Sequence, residues 1–176
     1  DSGSGKTETL FELLEPLLAE GQKVLVFSQF VQMLQILERD LGVKIAIENV
    51  GNDFIQTPAQ AVDYLDAIGS EWVGWHFDIG NVGRRGPAAE QWIPLLGKRI
   101  SRIHIKDYSA KPPDAAGKAA ARPKLLDGDT HWPAVMAALD QVGYSGWAIS
   151  EQPGNQAADG DTARDLARRM DRIFAL

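Results

Sequence analysis

A single α/β domain with five parallel strands is the fold class that this 176-residue sequence predicts. Three observations carry it. Short apolar runs alternate with stretches of helical periodicity, and that alternation implies right-handed crossovers between parallel strands. The helical stretches are punctuated by capping residues and glycines. With 44% apolar side chains, the chain can also bury one good core.

Leu10, Leu13, Leu14, Leu17 and Leu18 fall at helical spacing after Ser4, a suitable N-cap, and predict a first helix that Pro16 should strain and Gly21 should end. Residues 24–27, VLVF, read as a buried strand. Phe30, Met33, Leu34, Leu37 and Leu41 then mark one face of a second helix. Residues 44–48 form a second apolar strand, closing on a carboxylate. Thr57 and Pro58 supply an N-cap and a first-turn proline for a helix stopped by Gly69. The alternation continues with strand 73–78, helix 87–96, strand 101–106, helix 131–142, strand 146–150 and helix 162–175. The segment from Ser109 to Asp129 has adjacent prolines, many alanines and no apolar period, and reads as a long, partly ordered loop. Either an open Rossmann- or flavodoxin-like sheet or a half TIM barrel fits this order.

The net charge of −6 and pI near 5.0 argue against a nucleic-acid surface, which needs clustered Lys and Arg. With no cysteine, disulfides, thiolate nucleophiles and cysteine-bound metals drop out. No apolar run is long enough to span a membrane and no charged leader precedes one, so a cytoplasmic protein is expected.

Two constellations carry chemistry. The opening SGSGKT invites a phosphate-loop reading, but the pattern lacks its first glycine and its preceding strand. A capped helix start with a solvated Lys6 is expected instead, and no nucleotide. Glu48, Asp78, His104 and Glu151 each sit at or near the C-terminal end of a different strand, the edge where such sheets converge on ligands. Three carboxylates and an imidazole suit Mn²⁺, Mg²⁺ or Co²⁺. On residue types alone, the same four could equally be solvated strand ends or members of ion pairs. His76 and Lys106, each two residues from one of the four, share a face with it and could meet a substrate hydroxyl and an oxyanion or phosphate. A packed core role for His76 is at least as well supported. Asp107 is expected to cap the following loop, and most of the five tryptophans to pack, none of them catalytic.

Two resemblances bear on these residues. SGKTETLFELLEPLLAEGQKVLVFSQFVQMLQILERDL, ending at Leu41, resembles the start of the second RecA-like lobe of Swi/Snf-family DNA translocases, with VLVFSQF its most specific part. From about Val43 onward, IAIENVGN, GWHFDIGN, RIHIKDYS and DGDTHWPAVMAALDQVGYSGWAISEQPG resemble the C-terminal half of a sugar-phosphate isomerase/epimerase of the xylose-isomerase-like TIM-barrel superfamily. This second resemblance implies that Glu48, Asp78, His104 and Glu151 are metal ligands and that the two glutamates move protons. Asn81 stands where many such relatives carry histidine, a departure at a substrate contact.

A complete barrel takes about 250 residues. The expectation is therefore an engineered chimeric scaffold: a translocase-like segment, 1–42, joined to a half barrel, 43–176, that keeps a vestigial metal site without efficient catalysis. The alternative is an active metal-dependent sugar or sugar-phosphate isomerase/epimerase, completed by a second copy in a homodimer. Neither nucleic acid nor membrane is an expected partner.

Overall fold

Asp78 and His104 lie directly opposite each other on adjacent parallel strands, and the rest of the sheet is arranged around that pair. The computed structural model describes residues 5–21, 44–51, 54–83, 86–111, 123–151 and 160–176. The chain divides into two compact units, Asp1–Ile45 and Ala46–Leu176. In the first, helix α1 spans Gly5–Ala19 and runs on through Pro16; Gly21, with φ 72°, follows it. Of its leucines, Leu14 is buried whereas Leu13 and Leu17 are exposed, so the apolar face is narrower than its spacing suggests. Ser4, the strand expected at 24–27 and the helix expected around 30–41 lie outside the described residues.

The second unit is built on a four-stranded sheet whose order, β1-β2-β3-β4, follows the sequence. Its strands are β1 Ile45–Glu48, β2 Val73–Asp78, β3 Ile100–Ile105 and β4 Trp147–Ser150. Both β2·β3 and β3·β4 are parallel. Sequential order is that of a barrel segment; Rossmann and flavodoxin sheets double back at a switch point. This decides between the two architectures expected, in favour of the barrel segment.

Helix α2, Pro58–Ile68, starts as its sequence demands. The Thr57 hydroxyl accepts the Gln60 N–H while the Gln60 side chain accepts the Thr57 N–H, closing a capping box. Gly69 ends the helix at φ 64°, a left-handed conformation that glycine reaches without strain. A short helix the sequence pattern did not announce, α3 Ile79–Val82, follows β2 at once. Helices α4 Ala89–Leu96, α5 Trp132–Gln141 and α6 Gly160–Phe174 complete the unit.

Alternation along β2 and β3 sorts side chains onto two faces. Trp75 and Phe77 of β2 and Ile103 and Ile105 of β3 join Ala61, Leu65, Trp92, Ile93, Leu96, Val135, Leu139 and Ile173 of the helices in one core. Phe77 stacks on Trp92 with ring centroids 6.0 Å apart. Trp75, Trp92 and Trp132 are buried as expected of packing residues, whereas Trp72 and Trp147 are exposed. The intervening His76, Asp78 and His104 are also buried, on the other face. A bulge between Trp75 and His76 shifts the register so that His76 meets Arg102 and Asp78 meets His104.

Asp107 anchors the chain after β3. Its carboxylate accepts from the N–H groups of Tyr108, Leu126, Gly128 and Thr130 and from the Trp132 indole, at 2.9–3.2 Å. Both ends of the long loop are thereby tied to the start of α5, in keeping with the capping role expected of Asp107; residues 112–122 lie outside the described part. Asp107→Asn removes the charge and turns one acceptor into a donor facing N–H groups. Urea denaturation should report a loss of about 3 kcal/mol or more.

Tyr144 closes the turn into β4 by donating its hydroxyl to the Trp147 carbonyl at 2.8 Å. Burial pushes its phenol up to about 12, above the ordinary 10.0. The unfolded chain therefore loses this proton first. Stability is complete below pH 10 and falls as pH rises from there through the folded value. The wild-type melting temperature should drop more steeply across that window than that of Tyr144→Phe.

Candidate metal centre

Four strand ends deliver four ligating side chains to one place. Glu48 ends β1, Asp78 ends β2, His104 is the penultimate residue of β3, and Glu151 follows β4 directly. Parallel pairing sets His104 opposite Asp78 and Ile105 opposite Ser150, and the Glu151 N–H continues the ladder to the Ile105 carbonyl at 3.2 Å. One ligand atom from each of Glu48, Asp78, His104 and Glu151 lies within 4.8 Å of all the others. The structure thus brings together every ligand candidate named from the sequence, and the group could hold a metal ion.

His104 Nδ1 is the centre of the group. It lies 3.2 Å from Glu48 Oε1, 3.5 Å from Glu151 Oε2 and 3.8 Å from Asp78 Oδ2. Asp78 divides its oxygens: Oδ1 accepts the Asn81 N–H at 3.1 Å, capping α3, while Oδ2 faces the cluster. The Lys106 ammonium donates to Asp78 Oδ2 at 3.0 Å, Glu151 Oε2 at 2.7 Å and Asn81 Oδ1 at 3.1 Å. His76 packs edge-on against His104, with ring centroids 4.0 Å apart.

Charge crowding is written in the acidities. Burial would push the Asp78 carboxyl up, but its contacts with His104, Glu151 and Lys106 outweigh that and hold it below its ordinary value. Burial would lower the His104 imidazole, yet hydrogen bonding to Asp78 and Glu48 raises it to about 9. For Lys106, burial is likewise overcome by Glu151 and Asp78, and its ammonium holds its proton above the ordinary lysine range. His76 goes the other way, to about 4, because burial and the neighbouring His104 both disfavour a second cation. At neutral pH the cluster therefore holds a cationic Lys106 beside a neutral His76.

Asn49 is a residue that sequence reasoning missed. Buried next to Glu48, it accepts the Asp78 N–H at 2.9 Å and the Trp75 indole at 3.2 Å through Oδ1. Its Nδ2 donates to the Asp78 carbonyl at 2.8 Å, and its own carbonyl accepts from Asn81 Nδ2 at 3.0 Å. It thus grips both backbone groups of one cluster residue from the strand that carries another. The only available signal was its position next to Glu48. Of SGSGKT, Gly5–Thr7 belong to α1 and its first three residues lie outside the described part.

The family described as Xylose isomerase-like TIM barrel matches residues 15–173. Among curated proteins, an uncharacterized protein of Methanocaldococcus jannaschii, MJ1311, is 29% identical over 123 residues. That alignment takes in 68% of this chain but 40% of the relative, so the chain spans well under two thirds of that protein's length. Among solved structures, the D-allulose 3-epimerase of Methylomonas sp. in complex with D-allulose superposes with a TM-score of 0.62 at 18% identity, over 92% of this chain and 60% of that one. A xylose isomerase domain protein from Planctomyces limnophilus gives 0.66 at 16% identity, over 96% and 63%. At these identities the superpositions establish the fold.

Hard oxygen donors around one imidazole fit a divalent ion such as Mn²⁺, which gives the centre a direct test. Thermal melts with millimolar Mn²⁺ should show stabilisation of about 2.7 kcal/mol once the ion reaches a hundred times its dissociation constant. His104→Ala and Asp78→Asn should abolish the rise.

Proposed function

The chain belongs to the xylose isomerase-like TIM-barrel family, and from that premise we propose that it carries the divalent-metal centre of a sugar isomerase or epimerase, with Glu48, Asp78, His104 and Glu151 as ligands. The observation that carries this is the convergence of all four ligand atoms within 4.8 Å. Mn²⁺, Mg²⁺ or Co²⁺ suits the donor set and, when bound, would polarise a sugar carbonyl and its neighbouring hydroxyl.

Glu48 and Glu151 approach His104 Nδ1 from β1 and β4, the two outer strands of the described sheet, at 3.2 and 3.5 Å. That flanking arrangement suits a pair of proton-transfer groups. One carboxylate takes the proton from the carbon α to the carbonyl. The electron pair of that C–H bond forms the enediolate C=C bond and leaves the charge on the former carbonyl oxygen. Return of a proton by the other glutamate to the opposite face of the same carbon inverts it, which is epimerisation. Return to the neighbouring carbon, with transfer of the hydroxyl proton, is isomerisation. His76, held neutral, would hydrogen-bond a substrate hydroxyl. The Lys106 ammonium already spends its three N–H groups on Asp78, Glu151 and Asn81, so a substrate oxyanion or phosphate would have to displace one of them.

A second reading has its own support. The change of resemblance near Leu41 to Val43 falls close to the boundary between the two compact units at Ile45. In that reading a translocase-like segment was joined to a barrel fragment, producing a scaffold that binds metal without efficient turnover, as a monomer or a pair of copies. The family match, which begins at residue 15, crosses the join and favours the first reading.

One experiment separates them. The Mn²⁺-loaded protein is incubated with ketohexoses in deuterated water, and exchange at the α-carbon is followed by NMR. Exchange that Glu48→Gln and Glu151→Gln each slow by about 10²- to 10⁴-fold is expected. Metal binding with no exchange would favour the scaffold.

A further inference from the structure

The three carboxylates of the centre share their space with a permanent cation. Lys106 is 6% exposed, and its ammonium lies on the same two oxygens, Asp78 Oδ2 and Glu151 Oε2, that face His104 Nδ1. Asn81 Oδ1 accepts its third hydrogen bond at 3.1 Å. The stem is held as firmly as the head. Gly80 of α3 packs so closely that a Cβ there would lie 2.7 Å from Lys106 Cγ and 2.8 Å from the Lys106 carbonyl oxygen. A lysine fixed by stem and head contributes a charge of fixed position.

We propose that Lys106 is the positioning residue that sets the charge preference of the metal centre. Its ammonium stays on Asp78 and Glu151 when the ion enters, cancels one of the three carboxylate charges and fits the site to a divalent ion over a trivalent one. The inference rests on the metal-site reading above. Glu48, Asp78 and Glu151 together bring three negative charges; His104 gives up its proton to ligate the ion, so with one ammonium the net is two, which a divalent ion balances. Without the ammonium three would remain, the charge of a lanthanide that favours the same hard oxygens. In a partly buried cluster, a unit charge a few ångströms away changes ion binding by more than an order of magnitude. It acts more strongly on a triply charged ion than on a doubly charged one.

The test measures Mn²⁺ and Tb³⁺ affinities by calorimetric titration on the intact chain. Lys106→Met should raise the preference for Tb³⁺ over Mn²⁺ by about tenfold or more, and Lys106→Arg should leave it near the wild-type ratio. Asn81→Asp, which offsets the ammonium without removing it, should shift the ratio in the same direction and keeps the test open if Lys106→Met fails to fold. An unchanged ratio in Asn81→Asp, or in a folded Lys106→Met, would overturn the proposal while the metal site stands. Absence of Mn²⁺ binding by the wild type would overturn both.

Discussion

Gathering three carboxylates at one sheet edge is the constraint on which the rest of this structure depends. Like charges this close repel, and burial makes Asp78 costlier still, so the site exists only if compensating groups arrive in register. His104 does so because β2 and β3 pair Asp78 with it. Lys106 does so because it is two residues further along the same face, and its ammonium reaches Asp78 and Glu151 together. The bulge at Trp75 and His76 matters for the same reason: without that shift, Asp78 would face a different residue of β3.

The apolar face of the same strands supplies the rigidity that such crowding needs. Trp75 and Phe77 alternate with His76 and Asp78, so each polar residue of β2 is flanked by a side chain locked in the helix-covered core. Trp75 also crosses the division between the layers, because its indole donates to Asn49, the residue that holds Asp78 by its backbone. On β3 the arrangement repeats: Ile105 is core, Lys106 faces the carboxylates, and Asp107 ties down the following chain. Packing and site chemistry are therefore coupled residue by residue.

This coupling explains how far the sequence could be read. Glu48, Asp78, His104 and Glu151 were legible because a ligand at a strand end leaves a trace, an apolar run closing on a polar residue. Thr57, Pro58 and Gly69 were legible because caps act locally. Asn49 was not, since its work is done on the backbone of a residue 29 positions away, and an asparagine after a strand looks like any turn residue. The short α3 leaves no such trace, because four residues make no helical period and its cap, Asp78, is also the last residue of β2. Sheet order escaped as well. Open and barrel sheets use the same strand and helix patterns and differ only in which side each crossover takes, which no local period records.

The position of the unit boundary bears on how the two functional readings relate. Every group that shapes the centre, from Glu48 and Asn49 through Asp78, Asn81, His104 and Lys106 to Glu151, lies within Ala46–Leu176. The origin of the residues before Ile45 therefore has no direct bearing on the ligand set, its charge balance or its hydrogen-bonded frame. Ion binding needs only that frame. Turnover needs in addition that a sugar be held with its α-carbon between Glu48 and Glu151, and orientation of this kind draws on binding surface well beyond the ligands. An enzyme and a scaffold built on this unit would thus share the same metal chemistry, and only proton transfer at carbon distinguishes them.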